Sequence, residues 1–167
     1  KVGFFPGSTI GNFDPHEACA FLRSARAILG EGVTLIVGVD LEKDERVLYE
    51  AYNDAAGVTA KFNLNVLVRI NRDLGGNFDL SGFKHRAIYN RERHRIEMHL
   101  ISRKAQTVRL LGNTFSFRAG ETIHTESSYK YSIERFTGLA RGSGWTPRES
   151  WTDPDGMFSV HALMAGS

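Results

Sequence analysis

Apolar and polar positions at the start of the chain alternate in a way that predicts a strand, a helix and a second strand. Residues 2–6 form a short apolar run, and Asp14-Pro15-His16-Glu17 has the order of an N-cap, a first-turn proline and a capping-box glutamate. Residues 33–40 are almost continuously apolar, as in a strand buried on both faces of a parallel sheet. Residues 1–41 therefore predict a right-handed βαβ unit. One apolar face of its helix is expected to point inward: Ala18, Phe21, Leu22, Ala25, Ile28 and Leu29.

The spacing between apolar residues changes in the middle of the chain. Residues 42–53 and 57–74 predict helices, and in the second the apolar positions from Val58 to Leu74 stand at every fourth residue. Between residues 83 and 128 the period falls to two, with turn residues between short segments. Helices followed by a strand meander are typical of an inserted α+β element.

The last region again predicts a helix and strands, as the first region does. Ser132 is placed to cap a helix that ends near Arg141, and two strands are expected at residues 146–152 and 158–164. Between them, residues 153–156 (DPDG) predict a hairpin turn. We therefore expect an α/β protein with a core formed by residues 1–41 and 129–167 and an α+β insert at residues 42–128.

Composition and charge exclude several partner classes. The 167 residues include 21 Lys and Arg against 19 Asp and Glu, and a net charge of +2 is too small to favour nucleic acid or an anionic membrane surface. Cys19 is the only cysteine, which predicts a reducing, cytoplasmic setting without an internal disulfide. No apolar run is long enough to span a bilayer.

The loop after the first predicted strand is one candidate for ligand binding. Residues 7–12 (GSTIGN) follow that strand, and ligands of open α/β sheets bind beyond the carboxyl ends of the strands. Small residues allow a ligand to approach the backbone, and the Asn12 amide offers both a donor and an acceptor. An ordinary strand-to-helix turn explains the pattern equally well. The loop lacks both the lysine and the glycine spacing of a phosphate loop.

A second candidate lies at the end of the meander. Alternation places Glu126 and Ser128 on one strand face, where a carboxylate and a hydroxyl could hold a ring with two polar nitrogens. A solvated strand end is the alternative, and the pattern alone favours it. By position alone, Tyr52 and Met98 are packing residues. The six histidines show no tight metal-ligand spacing, and no nucleophilic serine or cysteine signature is present.

Six segments taken together resemble the histidine-specific N-methyltransferase family of ergothioneine biosynthesis. They occur in the same order, and the resemblance runs nearly from end to end of the chain. The segments are residues 7–12 (GSTIGN), 38–41 (GVDL), 51–60 (AYNDAAGVTA), 95–98 (RIEM), 120–126 (GETIHTE) and 151–156 (WTDPDG).

This resemblance implies a class I, Rossmann-like methyltransferase sheet, of which the chain is the C-terminal part, with a substrate-binding α+β domain inserted. It implies transfer of methyl groups from S-adenosylmethionine to the α-amine of L-histidine, giving hercynine, without a metal. By resemblance, Asn12 and Tyr52 bind the amino-acid end of the substrate, while Glu126 and Ser128 hold the imidazole. Further contacts are expected in the substrate pocket from Gly7, Thr9 and Met98, and at the cofactor edge from Phe5, Pro6 and Gly7.

The resemblance also implies that most of the cofactor site, a glycine-rich loop and an acidic residue, lies upstream of this chain. Half a sheet would expose a strand edge, so self-association is expected there. Beyond L-histidine, no nucleic acid or membrane partner is expected. Two alternatives stay open: an N-methyltransferase for another amino acid or an indole amine, and a binding module without catalysis.

Overall fold

The βαβ unit predicted for the start of the chain is present in a computed structural model that describes residues 1–166. Strand β1 spans Val2–Phe5, helix α1 spans Pro15–Leu29 and strand β2 spans Thr34–Asp40. Helix α1 begins with the expected capping box, since Asp14 Oδ1 accepts the Glu17 N–H at 2.8 Å and Glu17 Oε2 accepts the Asp14 N–H at 2.9 Å. Strands β1 and β2 pair in parallel, which confirms the prediction.

The remaining elements also follow the predicted order. Short 3-10 helices cover Thr9–Asn12 and Leu80–Gly82. The other strands and helices are α2 (Glu45–Tyr52), α3 (Val58–Leu74), β3 (Phe83–Asn90), β4 (Arg95–Ser102), β5 (Gln106–Leu110), β6 (Asn113–Phe117), β7 (Thr122–Tyr129), α4 (Ile133–Gly142), β8 (Trp145–Thr152) and β9 (Phe158–Ala165).

Three sheets contain these strands. The largest has the order β1-β2-β9-β8, the second has the order β3-β4-β7, and β5 and β6 form a separate antiparallel pair. Strand β2 runs parallel to β1 but antiparallel to β9, so the purely parallel setting expected for β2 is found on one side only. The hairpin of β8 and β9 around residues 153–156 is confirmed.

The chain divides into two compact units. Unit 1 contains Lys1–Asp44, Asn90–Ile96 and Ser127–Ser167, and unit 2 contains Glu45–Tyr89 and Glu97–Glu126. The sequence placed all of residues 42–128 in one insert, whereas the structure assigns the β3–β4 turn and the start of β4 to unit 1. The roles of the units as methyltransferase core and substrate-binding domain stay predictions.

The core of unit 1 forms where α1 and α4 contribute apolar side chains to a cluster with the four-stranded sheet. Leu22, Phe136 and Leu163 are fully buried, and Trp145 donates its indole N–H to the Leu22 carbonyl at 2.8 Å. Ile28, which the sequence placed on the inward face of α1, is 83% exposed. Viewed down the helix axis, Ile28 lies about 80° from Ala18, outside the buried face of α1.

Helix α3 carries most of its apolar row on the exposed side, and only Ile70 of this row packs against the core of unit 2. Val58 and Phe62, two members of the row that predicted this helix, are 65% and 62% exposed. The buried positions of α3 are Asn63 and Leu67. The spacing of apolar residues did not predict the buried face of α3, because one of the buried residues is an asparagine. Leu67 belongs to the core of unit 2, together with Phe78, Phe83, Leu100 and Val108.

Strand β1 forms one edge of the four-stranded sheet, and its Val2 and Phe4 side chains are exposed. Exposed strand edges favour pairing with another chain. Self-association at this edge stays a prediction. Among residues 1–166, none of the helices has both the length and the apolar character that crossing a bilayer requires.

Burial of His161 in β9 predicts an acid-sensitive fold. The ring is fully buried 4.6 Å from the Phe136 ring, its Nε2 lies 2.9 Å from Ser159 Oγ, and burial lowers its pKa from 6.5 to about 4. The unfolded chain takes up this proton near pH 6.5, and the folded chain takes it up only near pH 4. The free energy of unfolding should therefore fall by up to about 3 kcal/mol as the pH drops through this window.

Urea unfolding at a series of pH values between 7.5 and 4 measures this dependence. The His161→Leu variant should have a flatter profile than wild type, because it has no proton to take up on unfolding. His16 on α1 is exposed, so His16→Gln is the matched control and should keep the wild-type slope. An unchanged slope in His161→Leu would contradict the prediction.

Candidate functional site

The loop between β1 and the first 3-10 helix is pinned to the carboxyl ends of β1 and β2. Gly7 and Ser8 both have left-handed backbone angles, with φ of 71° and 56°. Ser8 Oγ accepts the Asp40 N–H at 2.8 Å. A Cβ on Gly11 would stand 2.8 Å from the Tyr129 carbonyl oxygen, so this position has no room for a side chain. These contacts fix the loop that the sequence identified as a ligand-binding candidate.

The outer side of this loop is open. Pro6, Gly7, Thr9 and Asn12 are exposed, while the Phe5 ring packs against Phe21 with centroids 4.4 Å apart. Among residues 1–166, no heavy atom outside Gly7 and its two chain neighbours lies within 4 Å of the position that a Gly7 Cβ would occupy. A ligand can therefore approach the backbone here, at the sheet edge where open α/β sheets bind their ligands.

A buried cation lies behind the end of β2. Lys130 Nζ is 2.7 Å from Asp40 Oδ2, and Lys43 Nζ is 2.6 Å from Asp40 Oδ1. Lys130 is 1% exposed and donates to Ser128 Oγ at 2.8 Å. Sequence analysis missed Lys130, although it follows Glu126 and Ser128 at the two-residue spacing of one strand face.

Unit 2 clamps the junction between α2 and α3, where Tyr52 lies. The Asn53 side chain donates to the Ala87 carbonyl at 3.1 Å and accepts the Ala87 N–H at 2.9 Å. The Asp54 carboxylate accepts the N–H groups of Val58 and Thr59, each at 2.8 Å, and these bonds lower its pKa to about 2. The half-buried Tyr52 side chain is therefore attached to a backbone segment that these hydrogen bonds hold in place.

A hydrogen-bonded chain continues from Tyr52 into unit 2. His85 Nε2 lies 2.8 Å from the Tyr52 carbonyl oxygen, and His85 Nδ1 lies 2.9 Å from Asn63 Nδ2. Because a carbonyl oxygen only accepts, Nε2 carries the hydrogen, and Nδ1 accepts from the Asn63 amide. The same amide of Asn63 donates to the His99 carbonyl at 3.3 Å. This chain explains why an asparagine is buried in α3.

Strands β4 and β7 bring together two histidines and a carboxylate in unit 2. His99 Nε2 is 3.2 Å from Glu97 Oε2, and candidate ligand atoms of Glu97, His99 and His124 all lie within 4.8 Å of one another. Histidine spacing along the chain did not predict this cluster. The two imidazole rings stack at 4.8 Å with an angle of 22° between their planes, so their in-plane lone pairs do not converge on one point. The geometry is that of a ring stack beside a carboxylate.

The predicted imidazole-binding strand is β7. Glu126 is half-buried, and its backbone carbonyl lies 3.0 Å from His124 Nε2. Ser128 is buried against Lys130, as described above. Met98 in β4 is buried, and its carbonyl accepts the Thr125 hydroxyl at 3.0 Å.

The predicted site residues fall into two groups. Unit 2 carries Tyr52, Met98 and Glu126. Unit 1 carries Phe5, Pro6, Gly7, Thr9, Asn12 and Ser128. Within unit 1, the loop and Ser128 are both linked to Asp40. Its backbone N–H donates to Ser8 in the loop, and its carboxylate pairs with Lys130, which donates to Ser128.

Comparison with a solved structure supports the fold. The CcbJ methyltransferase from Streptomyces caelestis matches with a TM-score of 0.52 at 14% identity, over 99% of this chain and 57% of that one. At this identity the match speaks for the fold alone, and it confirms the predicted methyltransferase-like α/β architecture.

Relatives by sequence are more specific. The chain is 44% identical over 162 residues to the histidine N-alpha-methyltransferase of Mycolicibacterium smegmatis, covering 96% of this chain and 50% of the relative. It is 40% identical over 162 residues to the enzyme of the same name from Mycobacterium tuberculosis, with the same coverage of 96% and 50%. The chain thus spans about half the length of the curated relatives it matches.

A family of histidine-specific, S-adenosylmethionine-dependent methyltransferases matches residues 1–165, which is almost the whole chain. The strand–loop geometry after β1 and the fold comparison agree with this match. The chain belongs to the histidine-specific, S-adenosylmethionine-dependent methyltransferase family.

Proposed function

We propose that the protein transfers methyl groups from S-adenosylmethionine to the α-amino group of L-histidine, producing hercynine for ergothioneine biosynthesis. The observation that carries the proposal is 44% identity over 162 residues with a histidine N-alpha-methyltransferase. The family match over residues 1–165 supports it. The domain roles follow from it, with unit 2 as the main substrate-binding part and unit 1 as part of the methyltransferase core.

Glu126 and Ser128 hold the imidazole ring in this proposal. Support comes from β7 (Thr122–Tyr129), in which alternate residues project from the same face of the strand. The Glu126 carboxylate accepts a ring N–H, and the Ser128 hydroxyl meets the second ring nitrogen. An indole has one N–H and no second nitrogen, so this pair favours histidine over tryptophan. Met98 packs beside the ring.

Asn12 and Tyr52 bind the amino-acid end of the substrate, and Gly7 and Thr9 line the same pocket. The exposed amide of Asn12 at the end of the pinned loop and the clamped backbone at Tyr52 support these roles. Methyl transfer requires the amine nitrogen to stand about 3–3.5 Å from the methyl carbon, in line with the leaving sulfur. Hydrogen bonds that hold each contact in place within its own unit therefore help to orient the amine.

S-adenosylmethionine supplies an electrophilic methyl group, and Phe5, Pro6 and Gly7 would hold the edge of it that reaches this chain. The open backbone at Gly7 fits such an approach. Attack by an amine lone pair on a sulfonium methyl group needs neither a covalent enzyme intermediate nor a metal.

A labelling assay tests the proposal. The full-length protein is incubated with methyl-labelled S-adenosylmethionine and, separately, with histidine, tryptophan and hercynine. Label should appear on the α-nitrogen of histidine as mono-, di- and trimethylated products. Hercynine should remain unlabelled because its trimethylated α-nitrogen has no lone pair. Label on tryptophan but not on histidine would overturn the substrate, and histidine binding without label transfer would favour a binding module.

A further inference from the structure

Lys130 is the most deeply buried charged side chain next to a proposed substrate contact. Its ammonium group donates to Ser128 Oγ at 2.8 Å and pairs with Asp40 Oδ2 at 2.7 Å, while the residue is 1% exposed. Burying a cation is unfavourable unless it is paired and hydrogen-bonded. The groups that contact the ammonium therefore fix where Lys130 Nζ lies, and one of these groups is Ser128.

The contact with Lys130 decides which way the Ser128 hydroxyl faces. An ammonium group has only donors, so Ser128 Oγ must accept from it. The oxygen end of the hydroxyl dipole then faces the positive charge, and its hydrogen faces away. An N–H group that approached the other lone pair of Oγ would meet the field of the ammonium.

We propose that Lys130 is a positioning residue that fixes Ser128 as a hydrogen-bond donor to the unprotonated ring nitrogen of the substrate. The inference rests on the proposed function and deepens it. Ser128 then selects a neutral azole ring with a free lone pair, while Glu126 takes the N–H on the other side of the ring. Specificity for histidine thus depends on a lysine that does not touch the substrate.

Substrate analogues separate this role from a structural one. Pyrrolylalanine keeps one ring N–H and lacks the second nitrogen, so it cannot accept from Ser128. Wild type should therefore prefer histidine over pyrrolylalanine, and Lys130→Met should lower this preference roughly fivefold, because an uncharged neighbour no longer orients or strengthens the bond. Damage to the fold would lower kcat/KM for both substrates and leave their ratio unchanged.

Two variants serve as controls. Lys43→Met removes a cation from the same carboxylate without touching the Lys130–Ser128 hydrogen bond, and it should keep the wild-type ratio. Lys130→Arg keeps a cationic donor and should restore most of the preference that Lys130→Met loses. Asp40 keeps Lys43 as a partner when Lys130 is replaced, which favours folding of the variant.

The ratio is measured in the full-length protein twice, from kcat/KM and from calorimetric binding without the methyl donor. A wild-type ratio in Lys130→Met, or an equal fall of the ratio in Lys43→Met, would overturn the role of Lys130. A wild-type protein that binds histidine without methylating it contradicts the proposed function alone, because the binding ratio still tests Lys130. A wild-type protein that binds neither compound overturns both.

Discussion

The Glu126→Ala variant is expected to have a kcat/KM for histidine roughly 100-fold below that of wild type. A loss of this size corresponds to the free energy of one hydrogen bond to a charged group. The variant removes the proposed acceptor for the ring N–H and leaves that N–H unpaired in the bound state. Most of the loss should appear in KM, because the imidazole contact is made in the ground state as well as in the transition state. Initial rates at varied histidine concentration and saturating S-adenosylmethionine measure it.

Glu92 provides the matched control for this variant. It is an exposed glutamate in the turn between β3 and β4, so Glu92→Ala removes the same charge from a residue outside the proposed site and should keep the wild-type rate. Equal rates for Glu126→Ala and wild type would remove Glu126 from the imidazole site. They would leave the methyltransferase assignment intact.

Asn53→Ala is expected to lower the free energy of unfolding by about 2–4 kcal/mol. Its amide satisfies both the N–H and the carbonyl of Ala87, which is fully buried, and it also donates to the Tyr49 carbonyl at 3.1 Å. Alanine would leave two buried backbone groups without these bonds, and each such group costs about 1–3 kcal/mol. Urea denaturation followed by circular dichroism measures the change.

Asn65 is the control for Asn53. It is exposed on α3, so Asn65→Ala should change the free energy of unfolding by less than about 0.5 kcal/mol. Similar losses in the two variants would mean that the clamp at Ala87 contributes little. Because Tyr52 precedes Asn53, a loosened clamp should also raise KM for histidine.

Local signals predicted most of the fold. The Asp14–Glu17 capping box, the Ser132 cap and the hairpin turn at residues 153–156 each depend on a few neighbouring residues, and each is present. Ile28 was misplaced because it stands at the margin of its helical face. The inward side of α3 was missed because Asn63, a polar residue, is buried there by partners on other strands.

The roles of the candidate site residues stay predictions, and local signals indicated only part of their arrangement. Alternation along β7 placed Glu126 and Ser128 on one face, but a lysine two residues later is usually solvated. Lys130 is buried because of Asp40, which lies 90 positions earlier in the sequence. His99 and His124 stack only because their strands belong to one sheet. Contacts between distant segments depend on strand pairing, which periodicity in a single sequence does not reveal.

The place of β9 in the four-stranded sheet bears on the order in which the chain folds during synthesis. Thr34 in β2 pairs with Met164 in β9, so β2 meets its inner neighbour only after the ribosome has synthesised the long segment that separates the two strands. Until then, β2 has one free edge and the apolar residues of α1 have an incomplete sheet to cover. We therefore expect nascent chains that stop before residue 158 to depend on chaperones, and emergence of β9 from the ribosome to be the event that completes the four-stranded sheet.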